Sequence, residues 1–460
     1  MRALREGPAR GQALFALASV AFLVMALTWL DRVGPKAPAP LEAGSAPSGS
    51  WICPHGGGLD LSAALFLANP GQATVTARVT SLGAQAPPAP TSLDVPGGST
   101  VRMNLPPGDR GAATSVEFFG GWIGAGWVAF TDGGVAAEPC APEASERWLL
   151  ADASTELGEV SSVIVANPFS SPAVLDAVLY TADRPPIRES EWTELVVPAR
   201  RSIALQLNSM VKGESVVAVT LEVSVGRVAA ASLVESNGTT VRSATGWIEP
   251  ASSAIFPMLH GSGQTELLLL STASGSIRFG ATALSEDEPR PAGGLTEREH
   301  GPTAARAYAI PGDAGPSAVK LFTLEGAPVA GALRALGPGV DLGSTGGAVE
   351  AADAWVLLPA SAQIPADPGA VLVNDGDADV VATVELLPQA GGTAPPAVTV
   401  RVPAHGAAAV PSDLWASAPG SALVVHADGP LVALAATTSR GSPDADAFAL
   451  SMGARLPQEA

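Results

Sequence analysis

The sequence predicts an all-β fold in which tandem Ig-like β-sandwich domains follow one N-terminal transmembrane helix. Three observations predict it. First, 50 Gly and 41 Pro among 460 residues cut the apolar runs into short pieces, which suits strands joined by turns and opposes long helices. Second, those pieces are rich in Ala, Val and Leu, while only three lysines occur (Lys36, Lys212 and Lys320). Third, a set of landmarks returns about every hundred residues. Trp51, Trp148 and Trp355 stand near the start of three copies, and 18, 19 and 19 residues later an apolar run ends in Asn69, Asn167 and Asn374. A proline behind an apolar residue follows at Pro96, Pro198 and Pro403. A period this long is one domain per repeat.

Taken in order, residues 1–12 carry Arg2, Arg5 and Arg10 and read as a cytoplasmic tail. Residues 13–30 carry no charge over 18 positions, enough to cross a bilayer core, and read as a transmembrane anchor. Secretion after signal cleavage is the alternative. Against it, the stretch exceeds the ~7–15 apolar residues of a signal peptide, and it ends in Thr28-Trp29-Leu30 without a small-x-small site. The basic excess ahead of the segment places the bulk of the chain outside the cell membrane. Residues 31–50, rich in Pro, Ala, Gly and Ser, read as an extended linker.

Four sandwiches are expected, over 51–147, 148–254, 255–353 and 354–460. In the first, residues 61–68 read as a strand entering the turn Asn69-Pro70-Gly71, and 74–80 alternate as a half-buried return strand. The second and fourth repeat this around Asn167-Pro168 and Asn374-Asp375; the third is degenerate, with Ser271 at the turn. These turns are expected to be hairpins, since Asn and Gly tolerate positive φ and Pro cannot continue a ladder. The second half of each copy adds a strand before its proline, with 308–311 as a weaker copy, then two strands around a Gly turn such as Gly226 or Gly429. Six or seven strands per unit suit a sandwich, whereas propeller blades take ~40–50 residues.

The formal charge is −19; the first 36 residues hold five of the bases and two of the acids, which leaves −22 for the rest. That excess excludes nucleic acid and anionic lipid surfaces as partners, since both require clustered Lys and Arg. The only cysteines, Cys53 and Cys140, bracket the first repeat. An even pair in an exported chain reads as a disulfide, with two buried free thiols as the alternative.

No catalytic, cofactor or metal constellation emerges. The histidines (His55, His260, His300, His405, His426) lack metal-ligand spacing, and there is no HExxH, CxxC, phosphate loop or nucleophile elbow. Ser209–Lys212 and Ser317–Lys320 match Ser-x-x-Lys without a Lys-Thr-Gly partner. The acidic run from Asn374 to Asp379 fails as a calcium loop, because Val380 and Leu386 occupy the Gly and Glu places counted from Asp375. Trp51, Trp148 and Trp355 recur and fit packing roles. Trp122 and Trp127, set among glycines, are the candidate ligand platform.

The N-terminal anchor, the Trp51-Ile52-Cys53-Pro54 opening, the Asn-Pro turns and the turn at Gly226-Arg227-Val228 together resemble a family. They are similar to actinobacterial membrane-anchored envelope proteins of unknown function with a Trp-x-Cys-Pro opening. The resemblance implies a location and no activity. The expected function is therefore non-enzymatic: a cell-envelope protein held through residues 13–30, presenting sandwiches for structural or protein-interaction roles. An array of wall-polysaccharide-binding modules is the alternative, and a wall-active enzyme with an unrecognised site the third reading. Envelope proteins or wall glycans are the partners these readings imply.

Overall fold

A computed structural model describes residues 48–457 except 59–60, 237–239, 260–263, 312–316, 337–341, 362–365, 417, 419 and 443–444. The tail, the anchor, most of the linker and His260 lie outside the described residues. The chain divides into compact units at Ala46, and everything below belongs to the second, Pro47–Ala460.

The first sandwich comprises β1 (Gly49–Cys53), β2 (Ser62–Asn69), β3 (Val75–Leu82), β4 (Thr91–Val95), β5 (Ser99–Asn104), β6 (Ala113–Phe119), β7 (Gly124–Phe130) and β8 (Val135–Pro139). They form two antiparallel sheets, ordered β1-β6-β3-β4 and β5-β2-β7-β8. The second sandwich repeats the scheme with β9 (Arg147–Leu150), β10 (Glu159–Asn167), β11 (Ala173–Tyr180), β12 (Leu195–Val197), β13 (Arg201–Gln206), β14 (Ala218–Val225), β15 (Ala229–Ser236) and β16 (Thr240–Thr245). The third does so with β17 (Ser253–Met258), β18 (Gln264–Leu270), β19 (Ile277–Leu284), β20 (Arg290–Pro291), β21 (Arg298–His300), β22 (Ala305–Pro311), β23 (Ser317–Glu325), β24 (Ala330–Leu336) and β25 (Leu342–Thr345). In the fourth, β26 (Ala352–Leu357), β27 (Ala366–Asn374), β28 (Val380–Leu387), β29 (Val398–Val402) and β30 (Gly406–Val410) precede β31 (Ala422–Ser442), β32 (Ala445–Met452) and β33 (Ala454–Arg455). The long β31 pairs first with β28 and then with β27, so one strand serves both sheets. The first two copies thus have eight strands each, against the six or seven that the apolar runs suggested.

The Asn turns are not hairpins. β2 and β3 belong to different sheets, as do β10 and β11, while β28 and β27 pair with successive halves of β31. Each Asn is a buried corner post. The Asn69 amide donates to the carbonyls of Ala73 (2.8 Å) and Val95 (2.9 Å), and its oxygen accepts from the Gly71 N–H (2.9 Å). Asn167 holds Ser171, Val197 and Pro198 in the same way, and Asn374 holds Ala378, Val402 and Pro403. The side chain thereby satisfies backbone groups where both ladders stop. In the third sandwich Ser271 accepts from the Ala273 N–H (3.3 Å). The Gly226 turn is likewise a corner between sheets: its φ of 77° is a left-handed conformation that glycine adopts without strain.

A second post is tryptophan. The indole N–H groups of Trp51, Trp148 and Trp355 donate to the carbonyls of Ile123 (2.7 Å), Val228 (2.7 Å) and Leu431 (2.9 Å), each where the chain turns into the next sheet. In the third sandwich this place holds Ala254: its successor Ile255 bridges Ala348 as Ile52 bridges Ala141.

The four sandwiches close into a ring. The last strands β8, β16, β25 and β32 pack on one another in a cycle that returns from β32 to β8. Backbone hydrogen bonds link the sandwiches at equivalent places: Ser202 N–H to Gly83 O (3.3 Å), Ala305 to Thr181 (3.2 Å), Ala407 to Ser285 (3.0 Å) and, closing the circle, Thr100 to Pro388 (2.8 Å). Each donor sits opposite the residue just before the corner Asn or Ser. The cause of closure lies in the strands around the corner. β3 alternates buried and exposed positions, but β2 is buried throughout from Ala64 to Asn69. Leu65 and Leu67 face their own core, while Ala64, Phe66 and Ala68 pack into that of the fourth sandwich. Ile164 and Leu233 of the second sandwich pack on the first in the same manner, and Val371 and Leu434 of the fourth on the third.

Two outcomes follow. Asn167→Ala should lower stability by about 2–4 kcal/mol in urea denaturation, since three carbonyls and one N–H lose their partner, while Ser271→Ala should cost about 1 kcal/mol or less. Phe66→Ala should cost about 3–5 kcal/mol through a cavity between the first and fourth sandwiches. An unchanged midpoint for Phe66→Ala would mean that these two sandwiches are apart in solution.

Candidate functional site

The two members of the expected tryptophan platform part company. Trp127, in β7, is only 1% exposed and packs into the first core, so it offers no surface to a ligand. Its cross-strand neighbour Leu65 lies on the inner face, and the inward register of β7 carries the indole with it. Trp122 is half-buried and edge-on to Trp51 (centroids 5.9 Å apart), in a cleft of about 810 Å³ shared with Phe118, Asp353, Asp428 and Arg455. Cys53 and Cys140 form a disulfide that joins the end of β1 to the segment after β8.

The remaining sequence candidates do not converge. His55 is buried between the Gly56 carbonyl (2.6 Å) and the Thr114 hydroxyl (3.0 Å), and burial pushes its pKa down to about 4. His300 meets the Tyr308 hydroxyl (2.9 Å) and the Ala304 carbonyl, and burial again lowers it to about 4. His405 faces Asp377 (2.9 Å), and His426 lies exposed in β31. Ser209 donates its hydroxyl to the Gln206 carbonyl (2.7 Å) in a short turn. Ser317 and Lys320 share β23, where positions three apart face opposite sides, and Lys320 pairs with Asp375 (2.7 Å). Asp377 pairs with His405, and Asp379 with Arg401. Each carboxylate of the acidic run thus has its own side-chain partner. Among the described residues no group of three or more His, Cys, Asp or Glu is placed to hold a metal ion.

Two charged groups escaped the sequence reading. Between the second and third sandwiches, buried Asp152 pairs with Arg334 (2.5 Å), near Arg242, which also binds Glu159 (2.8 Å). Burial alone would raise the Asp152 carboxyl, but Arg334 and Arg242 outweigh it and hold it at about 2. The other is Glu138 in β8, 1% exposed. Its Oε1 accepts the Thr245 N–H (3.1 Å) from the second sandwich, while Oε2 has no partner among the described residues. Burial raises its pKa to about 8, a rise only partly opposed by the Thr245 hydrogen bonds. A signal for it existed: an acid that shares the inward register of Ala136 and Cys140 in an otherwise apolar strand. Glu138 lines a cavity of about 520 Å³ where residues from all four sandwiches meet, including Trp51, Trp148, Trp247 and Trp355. There Gly346 approaches so closely that a Cβ would lie 2.3 Å from the Thr245 carbonyl oxygen.

Glu138 also sets a pH dependence. Its folded pKa is raised, so the stability it supports is complete below the ordinary value of 4.5 and is lost as pH rises through about 8. Glu138→Gln keeps an acceptor for Thr245 and cannot ionise. Thermal melts of the two proteins should therefore coincide in relative trend below pH 4.5, and the variant should gain on the natural chain from there to pH 8. Parallel profiles would refute the assignment.

Among known proteins, a family described as "Family of unknown function (DUF5719)" matches residues 121–281, from just before β7 through the second sandwich into β19. No curated protein matches. Similarity to solved structures includes a tetra-tandem repeat from the extending region of a large adhesion protein, at 10% identity and a TM-score of 0.10, over 84% of this chain and 92% of that one. The middle of the chain therefore matches a family of unknown function.

Proposed function

We propose that this is a non-enzymatic cell-envelope protein, anchored through residues 13–30, whose Ig-like sandwiches stand outside the membrane as a rigid scaffold for other envelope components. It would then belong with the envelope proteins that share its Trp-x-Cys-Pro opening. The observation that carries this reading is the Cys53–Cys140 disulfide, a bond that persists in oxidising compartments and is rare in the cytosol. The closed ring supports the scaffold role, because it holds four sandwiches in one fixed arrangement. A second reading, recognition of wall glycans, is favoured by the half-buried Trp122 in its cleft, where a sugar face has an aromatic edge and two carboxylates nearby.

A reporter fused to the C-terminus should be active only outside the cytoplasm, and crosslinking in intact membranes should capture envelope components. A cytosolic reporter would overturn the proposal. Glycan binding that is lost on Trp122→Ala would transfer the assignment to the second reading.

A further inference from the structure

We infer that the outer edge of the second sandwich is a docking site for an extended acidic segment of a partner protein, which adds as a further strand beside β12. The inference does not depend on which compartment the chain occupies. The sheet β12-β11-β14-β9 ends at β12, so the outward backbone groups of Leu195–Val197 have no strand to pair with. Folded proteins commonly place a charged side chain on such an edge to discourage added strands. The repeats show where that charge belongs. Seven residues beyond the corner Asn or Ser stand Thr76, Val174, Arg278 and Val381. Their partners on the edge strands are Asp94, Val196, Glu299 and Arg401 respectively. The second copy alone has no charge there. On its other side Val174 meets Val225, so three valines cross the sheet in one row, with Val196 52% and Val225 55% exposed.

Two more departures from the repeat stand at the end of that row. The corner turns of the four copies carry Gly71, Phe169, Ala273 and Gly376, whose carbonyls accept from the N–H groups of Gly98, Arg200, Thr303 and His405. Only the second copy has a large apolar side chain there: Phe169 is 40% exposed, and Arg227 lies over its ring, 5.5 Å from the centroid. The four donors have φ of 64°, 53°, 43° and 49°, a left-handed conformation that costs every residue except glycine. Arg200 keeps this strain and gains no ion pair from it. Neither Arg200 nor Arg227, both exposed, has a carboxylate partner among the described residues. The nearest acids along the sheet are engaged, Glu222 with Arg147 (2.8 Å) and Asp176 with the Glu194 N–H (2.6 Å). An open edge selects an extended backbone, a valine row selects alternate apolar side chains, and unpaired arginines select carboxylates. A lipid surface would leave the edge unpaired. A second copy would bring one chain of charge −19 against another.

The test is selection of a random twelve-residue peptide library on the immobilised full chain, with the Val196→Lys chain as the counter-selection. Peptides that combine Asp or Glu with alternating β-branched residues should be enriched. Their affinity, read by fluorescence polarisation, should fall roughly tenfold in Val196→Lys, as for a central contact of an interface. Arg227→Glu should weaken them by a similar factor, and added sodium chloride should weaken them further. All these positions are exposed, so the circular dichroism should not change. Arg200→Gly separates binding from folding: it should melt at a higher temperature, because the strain is relieved, yet bind the peptides about two- to fivefold more weakly. No enrichment over the Val196→Lys chain, or affinities unchanged in all three variants, would overturn the inference. So would a dimer in sedimentation velocity, or tighter association with phosphatidylglycerol-doped than with neutral micelles, that Val196→Lys and Arg227→Glu abolish in place of peptide binding. Those results would assign the edge to a second copy or to lipid.

Discussion

The structure depends on one constraint: in the sheet containing β2, and in its counterparts in the other sandwiches, the central strand is buried on both faces. A sheet of this kind needs two covers. Its own partner sheet provides one, and the preceding sandwich provides the other, as Ile164 and Leu233 pack on the first sandwich and Val371 and Leu434 on the third. In the first sandwich the same demand falls on Phe66 and Ala68. Folding the fourth sandwich against them meets the demand. Ring closure is thus a burial requirement expressed over the whole chain.

The two kinds of post make that arrangement specific. A corner between sheets ends two ladders at once and orphans several carbonyls in a buried place. The Asn amide supplies two donors and an acceptor at the right reach, which explains why the Asn turn and the proline landmark recur together: Asn167 touches both its own turn and Pro198. Serine cannot donate twice. The third sandwich, with Ser271 in place of Asn and Ala254 in place of Trp, lacks both posts and leans on stacking of Trp247 against Phe256 (6.0 Å).

Much of this was legible in the sequence, and the misreadings have common causes. Strand locations followed from the apolar runs because Gly and Pro punctuate them. The hairpin reading failed because turn chemistry reports only that the backbone reverses, and a corner between sheets uses the same residues. The runs of β2, β10 and β27 were visible too, yet their lack of alternation is the mark of a strand covered on both sides. The Trp127 platform failed because glycine neighbours suggest exposure, whereas here Gly124 and Gly126 make room for Val356 and Leu358 of the fourth sandwich. Of the site, the tryptophans were legible as a set, but not their meeting across four sandwiches, which only three-dimensional closure produces. Asp152 and Arg334 sit singly in apolar stretches and Arg242 among Thr and Ser, and nothing local marks them as one network.

Closure also governs how such a chain can change. An open row of repeats grows or shrinks by one unit at its end, and the interior interfaces are untouched. Here every sandwich has two neighbours, and the fit of β32 against β8 depends on the turning angle accumulated at the other three junctions. Duplicating one copy would require all four junctions to open by a smaller wedge simultaneously. Repeat number in this architecture is therefore quantised, and variation should accumulate in outward loops before it alters the count.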